Sequence, residues 1–455
     1  PGMVVGDSVT GEMDKVDGPY YFFKTIQKIR DNVPRWLPLM GIEGGLMPIV
    51  PIDYVVNAMD ALSHLEGAEY NNRAYHLLET PMPTVGSLMA SMLKGAHGPE
   101  VAKNIQTDLI DQLKKAGSSA QNISLVKDLS SKAAQQLSKK LGMPLSVFGY
   151  VNNKCEFDDS ETREALKGTG IRCPKLDDYM DKLFHYWEEV LDLEVDVDPR
   201  AASKVKGKNI LITGGSSGIG KSAARKLAAA GARVILVARG LEALDAAASQ
   251  IRRAGGEAHV YSCDLASMEA IDAVADQILN EHGHVDVLIN NAGRSIRRAV
   301  EESYDRFHDF ERTMQLNYFG CVRLIMKLMP SMIARRSGHV INISSIGCLT
   351  NPPRFAAYVA SKSALDAFSR CLSGELKKDR VDITTIYMPL VRTPMIAPTK
   401  MYKYVPTLSP EQAADLIAYA IVKRPKKIAT NLGRLASITY TIAPDVNNIL
   451  MSIGF

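Results

Sequence analysis

The chain has 455 residues, 46% hydrophobic and 23% charged, with 54 Lys+Arg against 50 Asp+Glu. That profile fits two to three globular domains and excludes a disordered tract, a collagen-like repeat and a disulfide scaffold. No apolar run reaches the roughly 18 to 20 residues needed to span a bilayer. Six cysteines with no CxxC pair predict reduced thiols in a cytoplasmic protein, with no metal site. Charge divides unevenly: residues 1–200 carry 21 Lys+Arg and 29 Asp+Glu, residues 201–455 carry 33 and 21. A basic second part suits an anionic ligand, or is simply a solvated basic surface. Pro1 to Asp7 has neither the basic nor the apolar region of a signal peptide, and Pro1 stands where an initiator Met is expected.

In chain order, Pro1 to Phe23 is turn-rich, residues 52–66 read as helix, and Leu88 to Lys94, Val101 to Lys115 and Ser124 to Leu141 read as short polar helices. Leu176 to Leu191 is a helix with Tyr179, Leu183, Tyr186, Trp187 and Val190 at helical spacing, read as a packed face. An acidic stretch, Glu188 to Asp198, and then Pro199 mark a boundary near residue 200, dividing the chain into domains 1–200 and 201–455.

Beyond that boundary, short Ile/Val-rich runs at 209–213, 233–238, 258–263, 285–289, 339–343 and 382–388 alternate with helical segments at 218–230, 241–254, 267–281 and 358–377. The apolar runs are strands buried on both faces. Their alternation with helices predicts an α/β fold, a doubly wound parallel sheet of Rossmann type. Ser409-Pro410-Glu411-Gln412 carries the cap, the proline and the Gln of a capping box.

Thr213-Gly-Gly-Ser-Ser-Gly-Ile-Gly220 follows a strand and opens a helix. Gly214, Gly218 and Gly220 permit a tight turn, close approach to a pyrophosphate and close helix–strand packing, while Ser216, Ser217 and Ile219 complete the turn. The second strand ends in Ala238-Arg239, where an enzyme selective for NAD usually has an acidic residue, so NADPH is the predicted cofactor. Asp264, with Leu265 after it, ends the third strand where a carboxylate reaches the adenine; the alternative is a helix N-cap.

Tyr358-Val-Ala-Ser-Lys362 places a phenol and an ammonium on one helix face, and the ammonium stabilises the phenolate. Tyr358 then serves as a proton donor. Ser344-Ser345, at the end of the preceding strand, supplies a hydroxyl for the substrate oxygen. Asn291-Ala292-Gly293 and Asn317 complete the constellation at the carboxyl ends of the strands.

With these motifs, and MPLVRTPM at 388–395, residues 201–455 resemble the short-chain dehydrogenase/reductase superfamily along their whole length. The resemblance implies that Ser345 orients the carbonyl, Tyr358 is the acid and Lys362 tunes it and holds the nicotinamide ribose. It also implies that Asn317 supports a proton relay and that Val391 and Thr393 meet the nicotinamide end. Leu390 departs from the glycine many members have there.

Longer strings, Arg294-Ser-Ile-Arg-Arg-Ala299, residues 307–320 and residues 395–410, look like bacterial fatty acyl-CoA reductases that make long-chain aldehydes. Through Pro1-Gly-Met-Val-Val-Gly6, Val50-Pro-Ile-Asp-Tyr-Val-Val56 and Arg163-Glu-Ala-Leu-Lys-Gly-Thr-Gly170, residues 1–200 resemble the carboxyl half of an extended reductase domain, as in the two-domain, alcohol-forming type. No Gly-rich turn or Tyr-x-x-x-Lys occurs in them, so this part is expected to lack a cofactor site and to leave half a sheet with an unpaired edge. The resemblance implies NADPH, a long-chain acyl-CoA substrate and a homo-oligomer; the Lys and Arg residues form no stripe interleaved with aromatics, so no nucleic-acid partner is expected.

Arg294, Arg297 and Arg298 are candidate grips for the phosphates of CoA, or plain surface residues. Met395 and Tyr402 lie in an apolar loop that covers an acyl chain, touches a membrane surface or packs in the core. Two other readings stay open: a ketone or alcohol dehydrogenase acting without CoA, and a non-catalytic nucleotide-binding scaffold.

Overall fold

A computed structural model describes residues 1–445 except 15, 34, 36, 68–69, 71–72, 106–154, 193–194, 196 and 397–406. The chain divides into two compact units, Pro1–Asp192 and Leu193–Phe455.

The first unit contains β1 (Met3–Val5), α1 (Phe23–Asn32), β2 (Leu39–Ile42), β3 (Ile49–Pro51), α2 (Ile52–Ser63), α3 (Val85–Gly95), β4 (Val101–Ile105), α4 (Ser160–Ala165) and α5 (Leu176–Tyr186). β1 pairs with β3 and β2 with β4, both in parallel. Val101 to Lys115 was expected to be helical. Its first five residues are instead a strand, because the β-branched Val101 and Ile105 have β2 as a partner. The remainder of that segment, and Ser124 to Leu141, lie outside the described residues.

A local apolar core lies in this unit. Phe23, Tyr179, Leu183, Phe184 and Trp187 are buried together, and the Phe23 ring lies 5.1 Å from Phe184 and 5.5 Å from Trp187. The aromatic spacing of α5 is thus a packing face. α5 runs on into a π-helical turn, Trp187–Leu191, that holds Glu188 against Arg30 at 2.6 Å.

The second unit contains α6 (Pro199–Val205), β5 (Asn209–Thr213), α7 (Gly218–Ala229), β6 (Arg233–Ala238), α8 (Leu241–Arg253), β7 (Glu257–Ser262), α9 (Met268–His282), β8 (Val287–Asn290), α10 (His308–Met314), α11 (Cys321–Ala334), β9 (Gly338–Ser345), α12 (Gly347–Thr350), α13 (Ala356–Glu375), β10 (Val381–Met388), α14 (Pro410–Lys423), β11 (Lys427–Ile428) and α15 (Asn431–Ile442). Seven parallel strands form one sheet in the order β11-β10-β9-β8-β5-β6-β7. The α/β doubly wound fold read from the alternating pattern is therefore the observed one.

Strand residues divide by parity. Ile210, Ile212, Val234 and Leu236 pack against α7, α8 and α14, whereas Leu211, Ile235, Val237 and Leu288 pack against α9 and α11. Both faces are covered, which is why these strands read as unbroken apolar runs. Each fully buried Ile or Leu contributes roughly 1.5–3 kcal/mol. The capping box at α14 forms: Gln412 N–H donates to Ser409 Oγ at 3.2 Å, and Ser409 N–H to Gln412 Oε1 at 2.9 Å. The chain order reverses between β5 and β8, and that switch point sets the place of the site.

His339 on β9 is fully buried, with Nε2 2.9 Å from Thr384 Oγ1, and burial pushes its pKa down from 6.5 to about 3. The unfolded chain therefore binds a proton below pH 6.5 that the folded chain refuses. The contribution is complete above pH 6.5 and is lost as pH falls from there toward 3. About 2 kcal/mol should be gone by pH 5 through this group alone. Urea unfolding of wild type and His339→Gln at pH 7 and pH 5 checks this: the substitution should flatten the pH dependence by about that amount.

Candidate active site

Thr213, the last residue of β5, ties two loops together. Its Oγ1 accepts N–H bonds from Asn291 and Ala292, each at 3.0 Å, and the Asn291 side chain donates to the Thr213 carbonyl at 3.0 Å and the Gly214 carbonyl at 3.3 Å. Asn291 and Ala292 therefore form the wall of the Gly-rich turn. Gly214 and Gly218 have φ of +67° and +51°, the left-handed region that costs L side chains about 1 kcal/mol.

Gly220 is required for space. A Cβ there would meet the Gly214 carbonyl oxygen at 2.2 Å and Asn291 Nδ2 at 2.6 Å. The turn is thus shaped to admit a ligand backbone-close, at the first turn of α7. Ser217 at the N-cap makes no side-chain capping bond, which leaves the α7 amide donors to a phosphate. Ser216 is half-buried in the turn, and Ile219 packs on the sheet. The Thr393 methyl group lies against Gly218, 3.0 Å from the position of a Cβ, so the segment after β10 returns to the phosphate turn. Val391 is buried and paired with Leu408, and the departing residue Leu390 accepts the Leu408 N–H at 2.8 Å.

Arg239 is exposed just past β6, and its carbonyl accepts the Ser262 hydroxyl at 2.9 Å. Asp264 is exposed just past β7. It does not cap α9: Asp264 Oδ1 holds its own turn by accepting the Ala266 N–H at 3.1 Å, and Ser267 is the cap, accepting from Ala270 N–H at 3.2 Å. The capping alternative for Asp264 is thereby corrected. Leu265 is buried, and its carbonyl lies where a Cβ on Gly320 would be, at 2.1 Å.

Between α10 and α11 the helix widens into a π-helical turn, Gln315–Gly320, that contains the fully buried Asn317. Asn317 Oδ1 accepts the Arg294 N–H at 2.8 Å, and its Nδ2 donates to the Arg294 carbonyl at 2.9 Å and Ser361 Oγ at 3.0 Å. Ser361 Oγ donates to the Tyr358 carbonyl at 2.7 Å. Ser361 went unnoticed in the sequence as a functional residue; the only signal was its place inside Tyr358-Val-Ala-Ser-Lys362.

Lys362 is buried, and its Nζ donates to the Ile343 carbonyl at 2.8 Å. Burial lowers its pKa from the usual lysine value, with Cys321 and Cys348 acting weakly the other way. Gly293 makes room for both partners: a Cβ there would sit 3.3 Å from Asn317 Oδ1 and 3.3 Å from Lys362 Nζ. Ser345, at the end of β9, is half-buried and accepts the Gly347 N–H at 3.0 Å. Tyr358 lies in the first turn of α13, on the same face as Lys362.

The proposed phosphate grips differ from one another. Arg294 is held by its backbone against Asn317, and Arg294 and Arg297 are half-buried. Arg298 is held by an ion pair, its Nε donating to Asp309 Oδ2 at 3.1 Å, and its side chain stays 34% exposed. Met395 is exposed, and Tyr402 lies outside the described residues. All six cysteines are unpaired. Among the described residues no cluster of three His, Cys, Asp or Glu could hold a metal ion, and no helix is long and apolar enough to cross a membrane.

The chain has recognisable relatives among known proteins. Residues 208–402 match the short chain dehydrogenase family, and residues 1–59 match the male sterility protein family. A fatty acyl-CoA reductase of Acinetobacter baylyi is 70% identical over 251 residues, covering 55% of this chain and 85% of that protein. The chain belongs to the fatty acyl-CoA reductases. A fatty acyl-CoA reductase of Mycobacterium tuberculosis is 46% identical, over 54% of this chain and 84% of its own length. The crystal structure of a metagenomic short-chain oxidoreductase in complex with NADP is 32% identical, covers 50% of this chain and 98% of that one, and has a TM-score of 0.44. As a fatty acyl-CoA reductase of the short-chain dehydrogenase type, the chain is an oxidoreductase that uses a nicotinamide nucleotide. The Gly214–Gly220 turn and the space left by Gly293 fit that cofactor.

Proposed function

We propose that the chain reduces long-chain fatty acyl-CoA to fatty aldehyde with NADPH, at a site lying wholly within residues 201–455. The observation that carries the reading is the gathering of Ser345, Lys362 and Asn317 at the carboxyl ends of β8 and β9, beside the phosphate turn, with Tyr358 one turn before Lys362 on α13. When bound, the nicotinamide nucleotide supplies the hydride. Ser345 donates to the thioester carbonyl oxygen as negative charge develops there, and Tyr358 delivers the proton to that oxygen. Lys362 holds positive charge near the phenol, and Asn317 links the chemistry to α13 through Ser361. The hemithioacetal then collapses to aldehyde and the CoA thiol, consuming one hydride and one proton per thioester.

The exposed Arg239 after Ala238 supports NADPH over NADH, since a guanidinium pairs with a 2′-phosphate that a ribose hydroxyl does not offer. Purified protein with NADPH and palmitoyl-CoA should release thiol in step with NADPH oxidation. Arg239→Asp should flatten or reverse the cofactor preference. Equal NADPH and NADH affinities in the unmodified protein would refute the assignment.

A further inference from the structure

Asp309, at the start of α10, is a buried carboxylate surrounded by cations. Its side chain is 2% exposed, and it accepts Arg298 Nε at 3.1 Å and Arg306 Nε at 3.3 Å, pairs with Arg312 and lies 3.4 Å from His308 Nε2. The three arginine side chains are themselves 34%, 37% and 43% exposed. Burial works against ionisation of Asp309, but Arg306 and Arg312 outweigh it and hold the carboxyl below its usual range. Three guanidinium groups thus share one carboxylate. The excess positive charge stays on the solvent side, and each fork keeps N–H donors beyond those it gives Asp309. Pinning the stems to one buried anchor also lowers the entropy cost of presenting the forks together.

Beside this group is a pocket of about 730 Å³, lined by Val300, Asn351, Pro352, Pro353, Arg354 and Val359 among others. The Arg298 N–H donates to the Arg354 carbonyl at 2.7 Å, which joins the arginine group to the pocket rim. Asn351 and Arg354 both hold left-handed backbone, with φ of +48° and +68°, a conformation that costs non-glycine residues energy and is concentrated at functional loops. The pocket also reaches the reacting end. A Cβ on Gly347 would lie 3.3 Å from Val359 Cγ2 and 3.8 Å from Pro352 Cδ, and 3.2 Å from Ser345 Oγ. Pocket wall and catalytic hydroxyl are thus separated by a single glycine. Glu301 and Arg354 are the charged residues in the lining and offset each other, so positive charge at this end comes from the arginine group itself.

We propose that Arg298, Arg306 and Arg312, held together by Asp309, bind the phosphate groups of the CoA carrier, and that the adjoining pocket receives the arm leading from those phosphates to the thioester at Ser345. This deepens the acyl-CoA reading and rests on it. It assigns carrier recognition to α10 and the loop before it, with Asp309 as a positioning residue that touches no substrate.

The test compares two thioesters of one acyl chain: lauroyl-CoA, which carries the phosphates, and S-lauroyl-N-acetylcysteamine, which does not. In Arg306→Gln/Arg312→Gln the ratio of kcat/KM for the CoA ester to that for the truncated ester should fall at least tenfold. The change should appear mainly in KM for lauroyl-CoA, and the salt dependence of that KM should weaken. Calorimetry gives a readout without turnover: free CoA should bind the unmodified protein more tightly than dephospho-CoA, and the double variant should lose that difference. The single variant Arg306→Gln leaves Asp309 two guanidinium partners and should show a smaller shift of the same kind if the double variant is poorly folded. An unchanged ratio, or equal loss on both esters in the single variant, overturns the assignment. Failure of the unmodified protein to reduce lauroyl-CoA while it reduces other carbonyl compounds would instead overturn the acyl-CoA reading itself.

Discussion

Tyr358→Phe is expected to slow single-turnover cofactor oxidation with saturating acyl-CoA by a factor on the order of 10² to 10⁴, the usual worth of a positioned acid. The substitution removes one hydroxyl and little volume from a half-buried site, so folding and cofactor binding should survive. Lys362 should behave differently. Its Nζ is buried and bonded to the Ile343 carbonyl, so Lys362→Ala removes both the charge beside the phenol and a packed side chain. Its rate should fall and its cofactor affinity should weaken, and higher pH should not restore the rate, because an ionised phenol has no proton to deliver. Burial lowers the Lys362 pKa, so the ammonium is lost at a lower pH than that of an exposed lysine, and activity should decline on the alkaline side earlier. The pH profiles of kcat/KM for the two proteins check this. Near-normal turnover in Tyr358→Phe would place the reductase centre elsewhere and favour the scaffold reading of residues 201–455.

Gly220→Ala should abolish cofactor binding at micromolar concentrations. The added carbon would sit 2.2 Å from the Gly214 carbonyl oxygen and 2.6 Å from Asn291 Nδ2, both fixed by the bonds that join the two loops. Either α7 moves away from the turn or the turn opens, and each displaces the amides that would meet the phosphates. Overpacking of this kind also costs about 1–3 kcal/mol of stability. Gly374→Ala is the matched control. That glycine is exposed inside α13 with nothing within 4 Å of the added carbon, so helix propensity makes the same chemical change stabilising by up to about 1 kcal/mol. Cofactor titration by fluorescence and thermal unfolding of both variants measure the contrast. Undiminished cofactor binding in Gly220→Ala would mean that the nucleotide does not lie on this turn.

The strands of the second unit were legible because burial on both faces leaves an unbroken apolar run, and the runs at 209–213 and 233–238 have the observed bounds. The Gly-rich turn and Tyr358 with Lys362 were legible because local spacing determines what a turn admits and which side chains share a helix face. Asp264 was half-legible: its place past a strand is a local fact, but its turn bonds and the rival cap at Ser267 differ by only three residues. Val101–Ile105 was misread because a short segment takes its conformation from the strand it meets, and β2 lies some 60 residues away in the chain. The meeting of Gly293, Asn317 and Lys362 needed the fold, since those residues come from three elements and close only when β8, the π-helical turn and α13 pack. The same holds for Arg298. In sequence it is one more basic residue after the Asn-Ala-Gly turn; only the burial of Asp309 eleven positions on turns it into one member of an anchored cationic group. Periodicity and local sterics are written along the chain, whereas the partner of a buried charge is chosen by whatever side chain the fold brings to it.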